Sequence, residues 1–168
     1  MAAVLFFDLK ILSTGIISAL WHETGHLLML FIFGVRISKV RITVFGAAIQ
    51  SEYQCLSRRK KMLVLLAGPI FSLLLSAILF YMCYQKFKLM LFLSAAVNLT
   101  LGLVNLLPVI PLDGGNILAL LFTDACTLKR INRCICTGLI LLSGLLFIFF
   151  GNYSLLLFTV YLIIYRFI

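Results

Sequence analysis

Charge is what this chain has least of. Only 11% of its 168 residues are Asp, Glu, Lys or Arg, against about 25% in soluble domains. Acids are the scarcest: Asp8, Glu23, Glu52, Asp113 and Asp124 are all there are. So thin a polar coat excludes an ordinary soluble enzyme and a disordered tail. Cysteine is present five times, at 55, 83, 126, 134 and 136, but never as CxxC. With an odd count and Cys83 inside an apolar run, reduced structural thiols are expected rather than a disulfide framework. The apolar start at Met1 lacks a basic n-region and a cleavage site, so no removable signal peptide is expected. No internal repeat and no low-complexity linker interrupts the chain. Its length suits one domain.

Apolar sequence fills the space that charge leaves. Hydrophobic residues make up 64% of the chain, and the mean hydropathy is +1.20. Ile11 to Phe33 is 23 residues long, broken only by a polar island around His22. Met62 to Tyr84 is 23 more without a charge, and Leu89 to Leu107 is 19. Each approaches the roughly 20 helical residues that cross a hydrocarbon core. Cys134 to Tyr165 is 32 uncharged residues with Gly151-Asn152 in the middle. A turn there divides it into two short spans, near 135–150 and 153–167. About five spans result. Between the first two, the β-branched stretch 35–45 followed by Gly46 and 47–50 reads as a short β-hairpin.

The net charge of +9 has a topological meaning here, because no polar domain exists to carry nucleic-acid binding. Let the first span exit into the cytoplasm. Arg36, Lys39, Arg41, Arg58, Arg59, Lys60, Lys61, Lys129, Arg130, Arg133 and Arg166 then fall inside, and Lys10, Lys86 and Lys88 outside. That 11-to-3 division satisfies the positive-inside rule.

His22-Glu23-Thr24-Gly25-His26 fits HExxH and contains the chain's only two histidines. Two such histidines with Glu behind the first would arise by chance once in ~10⁴ chains of this composition. At i and i+4 they share a helix face, so both imidazoles reach one metal, and Glu23 can act as a general base. Ionisable groups within a span are costly and mark function. A zinc site needs a third protein ligand and an open position. Asp8 and Asp124 stand near span ends as solvated or capping residues. Glu52 falls in the hairpin region. Asp113 lies in Asn105-Leu-Leu-Pro-Val-Ile-Pro-Leu-Asp113-Gly-Gly115, where prolines and glycines break a span. Broken helices at membrane depth line protein-enclosed cavities, so Asp113 is the favoured ligand. Capping of a helix near Gly114 is compatible with that role.

HETGH in a span, Ala67-Gly68-Pro69, and the 105–115 segment together resemble the site-2 protease family of intramembrane zinc metalloproteases. The likeness covers roughly 11–123 and is strongest to the sporulation branch, which cuts a membrane-associated pro-sigma factor. It implies one zinc per chain on His22, His26 and Asp113, Glu23 as base, and Asn105 orienting substrate or stabilising an oxyanion. It implies a membrane-embedded hairpin at 39–49, whose edge pairs with an unwound substrate strand. Three departures stand out. About ten residues precede the HExxH span where the family usually has another span. Phe71 and Ser72 stand near the family's asparagine after AGP. The hairpin's Phe-Gly-Gly reads Phe45-Gly46-Ala47.

The expected fold is therefore an all-α polytopic membrane protein with about five transmembrane helices and a short hairpin after the first. One domain covers 1–168, with a catalytic core at 11–123 and a C-terminal helical hairpin at 134–168. The expected function is regulated intramembrane proteolysis of a membrane-embedded or membrane-tethered regulatory protein. The lipid bilayer surrounds the site, a regulatory membrane partner is compatible, and no nucleic acid is bound. Anti-sigma factors and signal-peptide remnants are substrates of the same chemistry. A metal transporter would need a polar path that 62–84 and 135–165 do not offer, and a silent scaffold would not need Glu23. A peptidase using Glu52 as third ligand would lack a ligand helix.

Overall fold

The computed structural model describes residues 2–35, 37–43, 46–51, 55–122 and 124–150. Contacts divide the chain into two compact units, Met1–Asn105 and Leu106–Ile168. The expected span at 153–167 lies outside the described residues, as do Glu52 and Phe45.

In the first unit, helix α1 runs from Ala2 to Ile32. It starts nine residues ahead of the apolar run at Ile11, because nothing between Ala2 and Lys10 breaks a helix. Gly34 ends it with φ of 67°. Its amide donates to the Phe31 carbonyl, and the Val35 amide reaches back to Leu30, both at 3.0 Å. This is a Schellman cap, and its left-handed residue strongly favours glycine. Strand β1 (Ile37–Thr43) then pairs antiparallel with β2 (Gly46–Ser51), with a register shift between Ile37 and Lys39.

Helix α2 spans Arg58–Gln85. Its first turn is Arg58-Arg59-Lys60-Lys61, four cations at the end of a helix whose dipole repels them. Helix electrostatics therefore does not explain the basic run, whereas anchoring at a membrane interface does. Lys60 Nζ also sits 5.3 Å from the centre of the Phe33 ring. Helix α3 covers Leu89–Asn105. At 1.5 Å per residue its 17 residues reach about 25 Å, short of the roughly 30 Å hydrocarbon core. Among the described residues two helices are long and apolar enough to cross a membrane: Lys10–Ile32 and Arg58–Gln85.

Small and polar side chains fill the seam between these three helices. Ser18, His22, His26 and Leu30 are buried on α1 at helical spacing. Val64, Ala67, Gly68, Pro69, Ser72, Ser76 and Cys83 form the matching stripe on α2, and Ala95, Asn98 and Gly102 that on α3. Ser76 Oγ donates to the Ala95 carbonyl at 2.8 Å, and Asn98 Nδ2 to Ser18 Oγ at 2.9 Å. Asn98 is thus a tie between helices. Trp21 Nε1 donates to the Phe71 carbonyl at 3.0 Å. Large apolar side chains point outward instead: Phe31 is 79% exposed and Tyr84 87%. Small residues between helices and bulky ones outside match membrane packing, where lipid replaces the core.

The second unit begins with a tight loop. Val109 donates to Leu107 O and Leu112 to Val109 O, each at 2.8 Å. The Ile110–Pro111 peptide is cis. Helix α4 (Asp113–Leu121) follows with Leu112 as its N-cap, so Asp113 is its first turn rather than its cap. The loop backbone lies directly on that turn. A Cβ on Gly114 would meet Leu106 C at 2.5 Å and Leu107 O at 2.6 Å, and one on Gly115 would collide with the Val109 backbone. Helix α5 is continuous from Ala125 to Phe150, beginning ten residues before the apolar stretch at 135. Lys129, Arg130 and Arg133 look like loop residues in sequence, but Asp124 starts the helix ahead of them. Its carboxylate accepts from the Cys126 and Thr127 amides at 3.1 and 3.0 Å, and from the Thr127 hydroxyl. Buried Asn132 of α5 accepts from the Ile110 amide at 3.2 Å.

Two tests follow from this packing. A Cβ on Gly25 would lie 2.7 Å from the Ala67 carbonyl oxygen, whereas one on Gly15 meets nothing within 4 Å. Gly25→Ala should lower the melting temperature in detergent, while Gly15→Ala leaves it unchanged or raises it through helix propensity. The Thr127 hydroxyl and the two amides hold the exposed Asp124 carboxyl below its ordinary 3.8. Its contribution is present above that value and fades as pH falls through the lowered one. Exchange protection of the amides at the start of α5 should be retained at neutral pH and lost in strong acid, and Asp124→Ala should abolish it throughout.

Candidate metal centre

One turn of α1 separates His22 from His26, which puts both rings on the face buried against α2. They are 5% and 9% exposed. Their centroids lie 5.0 Å apart at 75°, and the two Nε2 atoms are separated by 3.3 Å. Two nitrogens each bound at about 2.05 Å to a tetrahedral zinc would be about 3.3 Å apart. The pair therefore fits two adjacent vertices of such a site. Glu23, half-buried, follows His22 on the same helix.

Each ring is held from behind. His26 Nδ1 lies 2.8 Å from the Val64 carbonyl oxygen. A carbonyl only accepts, so Nδ1 carries the hydrogen and the Nε2 lone pair of the neutral ring faces the centre. His22 Nδ1 lies 3.0 Å from Ser72 Oγ. Both supports come from α2, 38 and 50 residues away in sequence.

Gly68 supplies the space. A Cβ there would collide with His26 Nε2, and would come within 2.6 Å of His26 Cε1 and 2.7 Å of His22 Nε2. Gly25 mirrors it on α1, against Ala67. In sequence Ala67-Gly68-Pro69 stands as part of the family resemblance. In the structure Gly68 is the floor beneath both imidazoles.

The other candidates are placed as follows. Asn105 ends α3, and its Nδ2 donates to the Leu101 carbonyl at 3.0 Å. Asp113, half-buried, opens α4 in the second unit, and Asn116 one turn on donates to the Pro111 carbonyl at 3.2 Å. Asp124 is occupied as a helix cap, and Asp8 lies within α1. Ser72 and Val64 were not singled out as site residues by sequence reading. The only pointer to Ser72 was its place near the asparagine that the resemblance calls for.

The chain belongs to peptidase family M50, whose pattern it matches over residues 11–88 and 84–150. It is 30% identical over 132 residues to stage IV sporulation protein FB of Bacillus subtilis, covering 74% of this chain and 44% of that one. A putative zinc metalloprotease of Synechocystis is 32% identical over 106 residues, 60% of this chain and 28% of that protein. Among solved structures it is similar to the site-2 protease from Methanocaldococcus jannaschii. The TM-score is 0.69 at 25% identity, covering 91% of this chain and 74% of that one. The chain spans less than half the length of these curated relatives.

Gly68→Ala tests the floor. The added methyl must displace an imidazole, so zinc content per chain should fall at least tenfold, measured by elemental analysis after dialysis. Gly138→Ala, whose Cβ meets nothing within 4 Å, should retain full content.

Proposed function

We propose that this chain is the catalytic core of an intramembrane zinc endopeptidase. The observation that carries the reading is the His22–His26 pair: two Nε2 atoms 3.3 Å apart, each ring tied at Nδ1 to an oxygen of α2. Membership of family M50 and similarity to named zinc metalloproteases support zinc as the metal. Asp113 is the third ligand, giving one zinc per chain held by His22, His26 and Asp113. Asp113 is half-buried in the first turn of α4, where the helix dipole is complementary to a carboxylate.

Zinc supplies Lewis acidity, which makes water nucleophilic near neutral pH. Glu23 removes a proton from the attacking water and delivers it to the leaving amine. Asn105 donates to the oxygen on which negative charge develops. Its present bond to the Leu101 carbonyl would have to be exchanged for that role.

The substrate must reach the site with its backbone extended, since helical amides are already hydrogen-bonded. A membrane-embedded or membrane-tethered protein with helix-weakening residues meets that need. The two-stranded β1–β2 sheet offers an edge for strand addition. Resemblance to the sporulation branch favours a pro-sigma factor among such substrates. About five spans, with the N-terminus outside and the site open to the cytoplasm, are consistent with the 11-to-3 charge division. A bacterial cell membrane is the setting that the resemblance favours.

Glu23→Gln is the decisive variant. It should bind zinc as the wild type does and lose cleavage of a membrane substrate by 10²–10⁴-fold. Full activity with Gln at 23 would remove the assignment.

A further inference from the structure

The two imidazoles are supported by groups of different kinds. His26 leans on a main-chain carbonyl, which no substitution alters and which fixes one tautomer. His22 leans on a hydroxyl, which both donates and accepts. Ser72 is 0% exposed, so bulk water does not compete for His22 Nδ1. The other buried serines of the seam serve helix packing. Ser76 binds the Ala95 carbonyl and Ser18 receives Asn98, and neither bond involves an imidazole.

We propose that Ser72 is a positioning residue of the metal centre: its Oγ accepts the Nδ1 hydrogen of His22 and so presents the Nε2 lone pair of that ring to the metal. The inference rests on the zinc-site reading and extends it to a residue outside the ligand set. Without the oxygen, the buried Nδ1–H loses the acceptor that Ser72 provides. Partners behind a metal-binding histidine are typically worth 10–100-fold in metal affinity. Neither the length of the separation nor the residue type announces this in sequence. The role emerges only where α2 crosses α1, with Gly68 one turn before Ser72 making room for both rings.

Zinc affinity, measured by chelator competition on the full chain in detergent, tests the proposal. Ser72→Ala should weaken zinc binding 10–100-fold, while the metal-free melting temperature changes no more than in Ser76→Ala. Ser76→Ala removes an equally buried hydroxyl and should leave zinc affinity within twofold. Because the chain has two histidines, ¹⁵N-histidine spectra of the zinc-loaded protein add a direct readout. The slowly exchanging Nδ1–H of His22 should be lost in Ser72→Ala, and that of His26 should persist. If Ser72→Ala does not fold, Ser72→Cys, which keeps the side-chain shape with a slightly larger atom and weakens the acceptor, should shift affinity the same way. Zinc affinity within twofold of wild type in these Ser72 variants, or an equal loss in Ser76→Ala, would overturn the role of Ser72. A wild-type chain that takes up no zinc would instead sink the site reading itself.

Discussion

The close crossing of α1 and α2 governs everything in the first unit. Gly25 rests against the Ala67 backbone and Gly68 lies beneath the imidazoles, so the helix backbones meet where the polar island lies. In a bilayer no hydrophobic force drives helices together. Association rests on close packing and hydrogen bonds, each of the latter worth about 0.6–2 kcal/mol. The glycines permit the approach, and Ser72 and the Val64 and Phe71 carbonyls of α2 then lie close enough to bond His22, His26 and Trp21 of α1 across it. The His22–His26 pair thus sits where α1 and α2 approach most closely through their glycines. Loosening that contact would cost stability and chemistry together.

This economy reverses the usual layout of a core. In the first unit the fully buried positions are held by serine, alanine, proline and asparagine, and the outer faces by Phe, Leu, Ile and Tyr. One buried polar atom among the described residues, Asn98 Oδ1, has no hydrogen-bond partner. Its amide side already serves Ser18 and the Ser94 carbonyl.

What could be read from sequence was what is local. The i, i+4 spacing of His22 and His26 is a property of one helix, and the structure keeps it. The break at Pro108 and Pro111, the fresh helix at Asp113 and the capping role of Asp124 were likewise legible, because turn and cap chemistry act over a few residues. Long-range supports were not. Ser72 behind His22, Val64 behind His26 and Gly68 beneath both depend on how two helices cross, which no pattern within either one encodes. Helix limits failed for a related reason. Apolarity marks where lipid contact is possible, whereas α1 and α5 both continue well past their apolar stretches, through Lys10 at one end and Lys129 to Arg133 at the other.

The turn that delivers Asp113 has a consequence for how this segment can change over time. Gly114 and Gly115 press against main-chain atoms of Leu106, Leu107, Val109 and Ile110, not against their side chains. Identity at the exposed Leu106 and Ile110 is therefore loosely constrained by this contact, and absence of a side chain at 114 and 115 is tightly constrained. Divergent copies of the segment can repaint the loop surface while keeping the carboxylate on the same pedestal. Such an arrangement lets the exposed side chains of the loop vary without moving Asp113.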